Sequence, residues 1–240
     1  MGDHLKRLNA PGSWQIPKKI RKFILKTSPG PHNANAIPLA VWLRDKMGFA
    51  RNLKEVKQIL NDRVVLVNGR VATDPKLGIG IFDIIAIPKI GKYYRILRDK
   101  QGRHKTIEID SESAKTRLCR INNKTTIKGG GVQLNLRDGT NVIADNSYKS
   151  KDSIVISLEP ESRLKILDHF PYAVGNMAMI IGGKHSGKIA RVVSIETVLS
   201  SVSNRVILED EQGERFDTIE SYIIMVGRDT PALSHWGIEE

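Results

Sequence analysis

Residues 43–60 read LRDKMGFARNLKEVKQIL, and residues 63–71 read RVVLVNGRV. Leu39, Leu43 and Met47 recur at i, i+4 and i+8 with Trp42 beside them, which predicts a helix. Pro38 suits its first position, where a missing N–H costs nothing, and Gly48 its stop. Asn52 followed three residues later by Glu55 has capping-box spacing and opens a second helix to about Leu60. On that helix Leu53, Val56 and Leu60 share one face, while Arg51, Lys54 and Lys57 share another. Asn68-Gly69 between β-branched residues predicts a tight hairpin, because both central turn positions need positive φ. The second helix and the hairpin therefore put Arg51, Lys54, Lys57, Arg63 and Arg70 on one rim. Such a rim suits RNA phosphates, and it equally suits a solvated charged face.

Composition narrows the partner. The 240 residues allow two or three small domains with their own cores, and the net charge of +12 favours a polyanion. Residues 1–90 hold 16 Lys and Arg against 6 Asp and Glu, whereas residues 171–240 hold 6 against 10. The front end is thus the nucleic-acid end. A single Cys, Cys119, excludes an internal disulfide and a cysteine-rich zinc cluster, and is compatible with a reducing compartment. No apolar run is long enough to span a membrane, and the N-terminus lacks a secretory leader's apolar core.

Residues 1–37 form a basic arm in which Pro11, Pro17, Pro29 and Pro31 interrupt any long helix. Alone it would be mobile, and against phosphates Lys6, Arg7, Lys18, Lys19, Arg21 and Lys22 would order it. Trp14 and His32 suit base stacking, Trp14 equally local packing. LRDKMGFARNLKEVKQIL, VLVNGRV and the later FDII (Phe82–Ile85), taken as the closing strand, resemble the alpha-L RNA-binding segment. That segment occurs in a universal small-subunit ribosomal protein, in some pseudouridine synthases and in one tRNA synthetase tail. HLKRLNAPGSW (His4–Trp14) and SPGPH (Ser28–His32) resemble the opening of the e-type "four" family of archaeal and eukaryotic small-subunit ribosomal proteins. The resemblance continues through nearly the whole chain, and an ending at Glu240 without a basic extension looks like an archaeal form.

The remainder reads as β. Tyr93–Leu97 and His104–Ile109 flank a four-residue loop, and Ser111 opens a helical turn to about Arg117. Val132–Leu136, Thr140–Ala144, Ser153–Leu158 and Leu164–Phe170 follow as strands in a barrel or sandwich. From Met177 a last module of five strands ends at Tyr222–Val226. Its VGNMAMIIGGKHSGKIARVV resembles a KOW motif with Gly187 as the hallmark glycine. Lys184, His185 and Lys188 lie at its loop tip, available to RNA or merely closing the hairpin.

Gly182–Lys188 also satisfies G-x-x-x-x-G-K, the front of a nucleotide-binding loop. That chemistry needs a Ser or Thr after the Lys and a helix start, but Ile189 follows and the next residues alternate as a strand. The six His residues lack zinc-ligand spacing, and Cys119 in LCRI reads as a small buried hydrophobe on a strand. Nothing supplies a serine elbow or the catalytic domain of an RNA-modifying enzyme.

The expected fold is α+β and multidomain. It comprises the arm 1–37, an alpha-L RNA-binding domain 38–90, a central β-rich domain 91–170, and a KOW-type small β-barrel 171–240 with an acidic tail. The expected role, which rests on the family resemblance, is a structural, non-enzymatic, cytoplasmic constituent of the small ribosomal subunit. It would need no cofactor or metal, and its partners would be ribosomal RNA and neighbouring ribosomal proteins, without membrane or homo-oligomer. From the wedge Arg44 joins the five rim cations as an RNA contact. The alternatives are an RNA-modifying enzyme and a KOW-bearing transcription factor.

Overall fold

The computed structural model describes residues 4–32 and 35–232. The acidic tail falls outside the described residues. The chain is mostly β with few helices, and it divides into two compact units. The first comprises Met1–Leu97, Arg103–Arg117 and Leu158–Pro160; the second comprises Arg98–Gly102, Leu118–Ser157 and Glu161–Glu240.

In the first unit the earlier helix is shorter and wider than its periodicity suggests. Pro38 belongs to a two-residue strand, Ile37–Pro38, and the α-turn begins one residue later at Leu39–Val41. It then widens into a π-turn, Trp42–Lys46, with Met47 N–H donating to Trp42 O at 3.0 Å. The extra residue in the turn lets Trp42 and Leu43 both face inward, fully buried. Gly48 ends the element at φ +68°. The second helix runs Leu53–Asn61, and its cap forms nearly as read. Asn52 Oδ1 accepts the Glu55 N–H at 3.0 Å, but the Glu55 carboxylate returns to the Arg51 N–H at 2.7 Å, one residue earlier than a standard box. Val56 and Leu60 are buried, and Leu53 half-buried.

The hairpin closes through Asn68 and Gly69 at φ +50° and +71°, as an Asn-Gly turn requires. A Cβ on Gly69 would meet Leu158 O at 2.6 Å, so glycine is fixed there by space as well as by φ. The closing strand begins at Ile84, not Phe82, since Phe82 turns at φ +65°. The sheet runs in the order Arg70–Val71, Leu66–Val67, Ile84–Ile87, Lys92–Arg98 and His104–Ile109. The helical turn expected from Ser111 is a 3-10 turn, Ser113–Lys115.

The arm is not a free tail. Leu5–Lys6 pairs antiparallel with Phe23–Ile24, and Ala10, Trp14, Ile16 and Ile24 join Trp42, Val56, Leu60 and Ile85 in one core. Trp14 Nε1 donates to Ala36 O at 3.0 Å. A short apolar segment alone cannot offset its ordering entropy, but docking on an existing core does.

In the second unit five strands run in the order Asn141–Ala144, Val132–Leu136, Thr116–Thr126, Ser153–Ser157 and Ile166–Phe170, around Ile121, Leu134, Leu136, Ile154 and Ile156. Thr116–Thr126 is the central strand, and Cys119 lies on it, buried. A further antiparallel sheet has the order Arg215–Ile219, Arg205–Glu209, Ile189–Glu196, Met177–Ile180 and Ile223–Gly227. Arg215–Ile219 alternates in burial as an edge strand does, whereas Ile223–Gly227 is buried throughout. Ile189 continues as strand, so no helix opens after Gly182–Lys188.

Candidate nucleic-acid interface

The helix and hairpin of the first unit present cations with nothing to hold them. Lys54 and Lys57 are exposed and three residues apart, so they share the solvent side of Leu53–Asn61, and Arg51, also exposed, lies just before the cap Asn52. Arg63 leaves the helix in a left-handed conformation, φ +54°, and is exposed, as is Arg70 beyond the Asn68-Gly69 turn. None of these five side chains has a hydrogen-bond or ion-pair partner among the described residues. An exposed, unpaired cation keeps its full charge for a phosphate.

Behind the hairpin lies a group that the sequence reading left unassigned. Asp83 is buried, and its Oδ1 accepts from Asn68 Nδ2 at 2.8 Å and from Arg117 Nη2 at 2.7 Å. Its Oδ2 accepts from Gly80 N–H at 2.8 Å and lies 2.7 Å from His32 Nε2. Asn68 Oδ1 in turn accepts the Ile84 N–H at 2.9 Å. One carboxylate thus fixes the hairpin turn, the following strand and the end of the arm. Burial alone would raise the Asp83 carboxyl, but the charges of His32 and Arg117 and the hydrogen bonds from His32 and Asn68 outweigh it. They hold it well below the ordinary carboxylate range.

The arm splits its expected contacts in two. Lys6, Lys19, Arg21 and Lys22 are exposed. The register pairs Lys6 with Phe23, and Lys22 Nζ lies 5.4 Å from the centre of the Phe23 ring. Arg7, expected on RNA, is instead 3% exposed, its Nε donating to Pro17 O and its Nη2 3.4 Å from Asp45 Oδ1. Lys18 is half-buried and donates to Ala10 O. Arg44 pairs with Asp45 at 2.7 Å and is half-buried. These three brace the arm and the first helix. Trp14 and His32, considered for base stacking, are turned inward on Ala36 and Asp83.

Of the three cation candidates on the loop Gly182–Lys188, Lys184 is exposed, while His185 and Lys188 are half-buried. His185 stacks on Phe216 with ring centres 4.3 Å apart, and Lys188 Nζ pairs with Asp210 at 2.7 Å. Gly187, at φ +82°, passes so close to the Arg98–Asp99 backbone that a Cβ would lie 3.0 Å from Asp99 C. The loop is therefore packed as well as presented. No group of three His, Cys, Asp or Glu placed to hold a metal occurs among the described residues. Among them, no helix is long and apolar enough to cross a membrane.

Four family models match in chain order. They are the RS4NT domain over residues 1–35, the S4 domain over 37–85, the ribosomal family S4e over 90–163 and the KOW motif over 174–209. The small ribosomal subunit protein eS4 of Methanospirillum hungatei is 59% identical over 241 residues, covering 100% of both chains. That of Methanocella arvoryzae is 44% identical, covering 97% of each. The solved 30S ribosomal protein S4e of Thermoplasma acidophilum superposes with a TM-score of 0.67 at 26% identity, over 80% of this chain and 95% of that one. With full-length relatives at this identity, the chain belongs to the eS4 family of small ribosomal subunit proteins.

Proposed function

We propose that this chain is a structural constituent of the small ribosomal subunit in the cytoplasm, binding and bracing ribosomal RNA without catalysing a reaction. The observation that carries this is the set of five exposed, unpaired cations, Arg51, Lys54, Lys57, Arg63 and Arg70, around a helix seated on the core by Val56 and Leu60 and a hairpin anchored through Asp83. Rigid placement matters because phosphate contacts fix register and orientation, and A-form RNA is recognised mainly by shape and backbone. Lys6, Lys19, Arg21 and Lys22 extend the surface along the arm, and Lys184 adds a cation in the acidic back half. Arg7, Lys18, Arg44, His185 and Lys188 act from inside, holding the scaffold.

The working parts are the arm 1–37, the alpha-L domain 38–90, the central β-rich domain 91–170 and the module 171–240. Each of the last two is a small barrel-like fold, the final one of KOW type. Its remaining partners are neighbouring ribosomal proteins; neither a membrane nor a second copy of the chain is required.

The test is binding of the purified chain to a small-subunit ribosomal RNA transcript across a salt series. With about 6–10 phosphates contacted, affinity falls by roughly 10³–10⁵ between about 50 and 200 mM salt. K54E together with K57E lowers affinity and reduces the salt slope by about 2 while the far-UV circular dichroism stays unchanged. An unchanged slope in that double variant places the RNA on another face.

A further inference from the structure

The second unit gathers positive charge where its sequence shows no pattern. Arg120 lies on the central strand Thr116–Thr126, and Arg137 opens the Arg137-Asp138-Gly139 turn after Val132–Leu136. The Arg137 N–H donates to Arg120 O at 2.9 Å, so the two residues are backbone neighbours although 17 positions separate them. Their side chains then run to the same atom. Ser221 O accepts from Arg137 Nη1 at 2.9 Å and from Arg120 Nη1 at 3.2 Å. The two guanidinium groups therefore meet at one carbonyl, which supplies a dipole but no charge.

Glu220 hydrogen-bonds Lys151 Nζ at 2.7 Å through one carboxylate oxygen and Asn204 Nδ2 at 3.1 Å through the other, and its charge acts on Arg120 without a direct hydrogen bond to it. Arg120 is 8% exposed, and its Nε has no hydrogen-bond partner. A third guanidinium, Arg98, holds Gly102 O at 2.9 Å and lies close enough for its charge to be felt at Arg137. Arg137 itself remains half-exposed, so the cluster opens to solvent on that side. Burial, and then the charges of Arg120 and Arg98, push the Arg137 guanidinium down to about 10. Like charges gathered out of water disfavour one another, and an anion between them removes the conflict.

We propose that Arg120 and Arg137, with Arg98 beside them, form a phosphate-binding site in the second unit, separate from the cationic helix and hairpin of the first. Planar guanidinium forks match the oxygens of a tetrahedral oxyanion, and two that converge hold it in a defined orientation. The phosphate group belongs either to an RNA backbone or to a free anion. The first source rests on the ribosomal RNA reading above; the second does not. Arg120 positions Arg137 through the shared carbonyl and contributes its own buried donor.

The experiment uses the full chain and two ligands. First, thermal unfolding is followed in inorganic phosphate against chloride at matched ionic strength. Wild type is expected to melt a few degrees higher in phosphate, and R137Q to lose that difference while melting in chloride close to wild type. Second, binding to a small-subunit ribosomal RNA transcript is followed across salt, where R137Q reduces the slope by about 1. Loss of the phosphate effect together with a reduced slope assigns the site to RNA phosphate. Loss of the phosphate effect with an unchanged slope assigns it to a free anion. No phosphate-specific rise in wild type and an unchanged slope in R137Q overturn the proposal. Should R137Q fail to fold, R137K keeps the charge but not the fork, and a phosphate response equal to wild type then overturns it. K54E with K57E, run in parallel, reports on the wedge independently, so failure there leaves this site standing.

Discussion

The chain builds two cationic loops by opposite rules. Around the Asn68-Gly69 hairpin the charges point outward unpaired, and the ordering charge, Asp83, is buried beneath the turn. Around Gly182–Lys188 the ordering is done by the loop's own side chains, with Lys188 on Asp210 and His185 on Phe216. The first loop spends no surface charge on its own stability; the second does. A positive residue in a loop therefore says little about its target until its internal partner is known. By this criterion the hairpin leaves its charges open to an external anion, whereas the Gly182–Lys188 loop commits Lys188 to its own fold.

The sharpest way to break the comparison is to remove the buried acid. D83A leaves His32, Arg117 and Asn68 facing an empty site in the core of the first unit. Breaking a buried, hydrogen-bonded charge pair costs about 3–5 kcal/mol, so we expect a loss of that order by urea unfolding. RNA affinity should fall too, because the turn that carries Arg70 loses its anchor. A cost near that of a surface pair would show that Asp83 does not frame the hairpin.

Acid should reproduce part of this effect without mutation. The Asp83 pKa is lowered by folding, so near the ordinary carboxylate value the unfolded chain binds more protons than the folded one. Its stabilisation is complete above a pH of about 3.9 and declines as pH falls below that value toward the depressed folded one. Asp210 moves in the same direction, mainly through its hydrogen bond from Lys188, but it is partly exposed and its share is smaller. Unfolding free energy followed downward from neutral pH should therefore drop in acid, and drop less steeply in D83A. Equal slopes in the two proteins would assign the acid sensitivity to other carboxylates.

How much of this was legible depends on whether the deciding interaction is local. The capped helix Leu53–Asn61 and the Asn68-Gly69 turn follow from spacing and φ alone, and both stand where the sequence puts them. The strand after Gly187 was readable for the same reason, from its period of two. The π-turn at Trp42–Lys46 was not, since a wide turn and a regular one share the same apolar recurrence. Nor was the docking of the arm, which depends on Trp14 and Ile16 finding a core built from residues 39–96. Among the expected contacts, Lys54 and Arg7 look alike in sequence; what separates them is the pairing of Arg7 with Pro17 O and with Asp45, 38 positions away. The Arg120–Arg137 pair hides similarly, because a strand pairing rather than a motif makes them neighbours.

The smallest effect tests the other side of the comparison. K188A removes a pair in which the side chains are 38% and 20% exposed, so solvent screening limits its worth to about 0.2–1 kcal/mol. We expect a shift of that size in thermal unfolding and little change in the salt slope for ribosomal RNA. In K54E with K57E the pattern inverts, with stability kept and the slope reduced. The two variants thus separate a cation that serves the fold from cations that serve a ligand. If K188A flattened the salt slope as much as either wedge lysine, Lys188 would be exchanging Asp210 for phosphate on binding. The pairing at the KOW loop would then be a resting contact rather than a structural one.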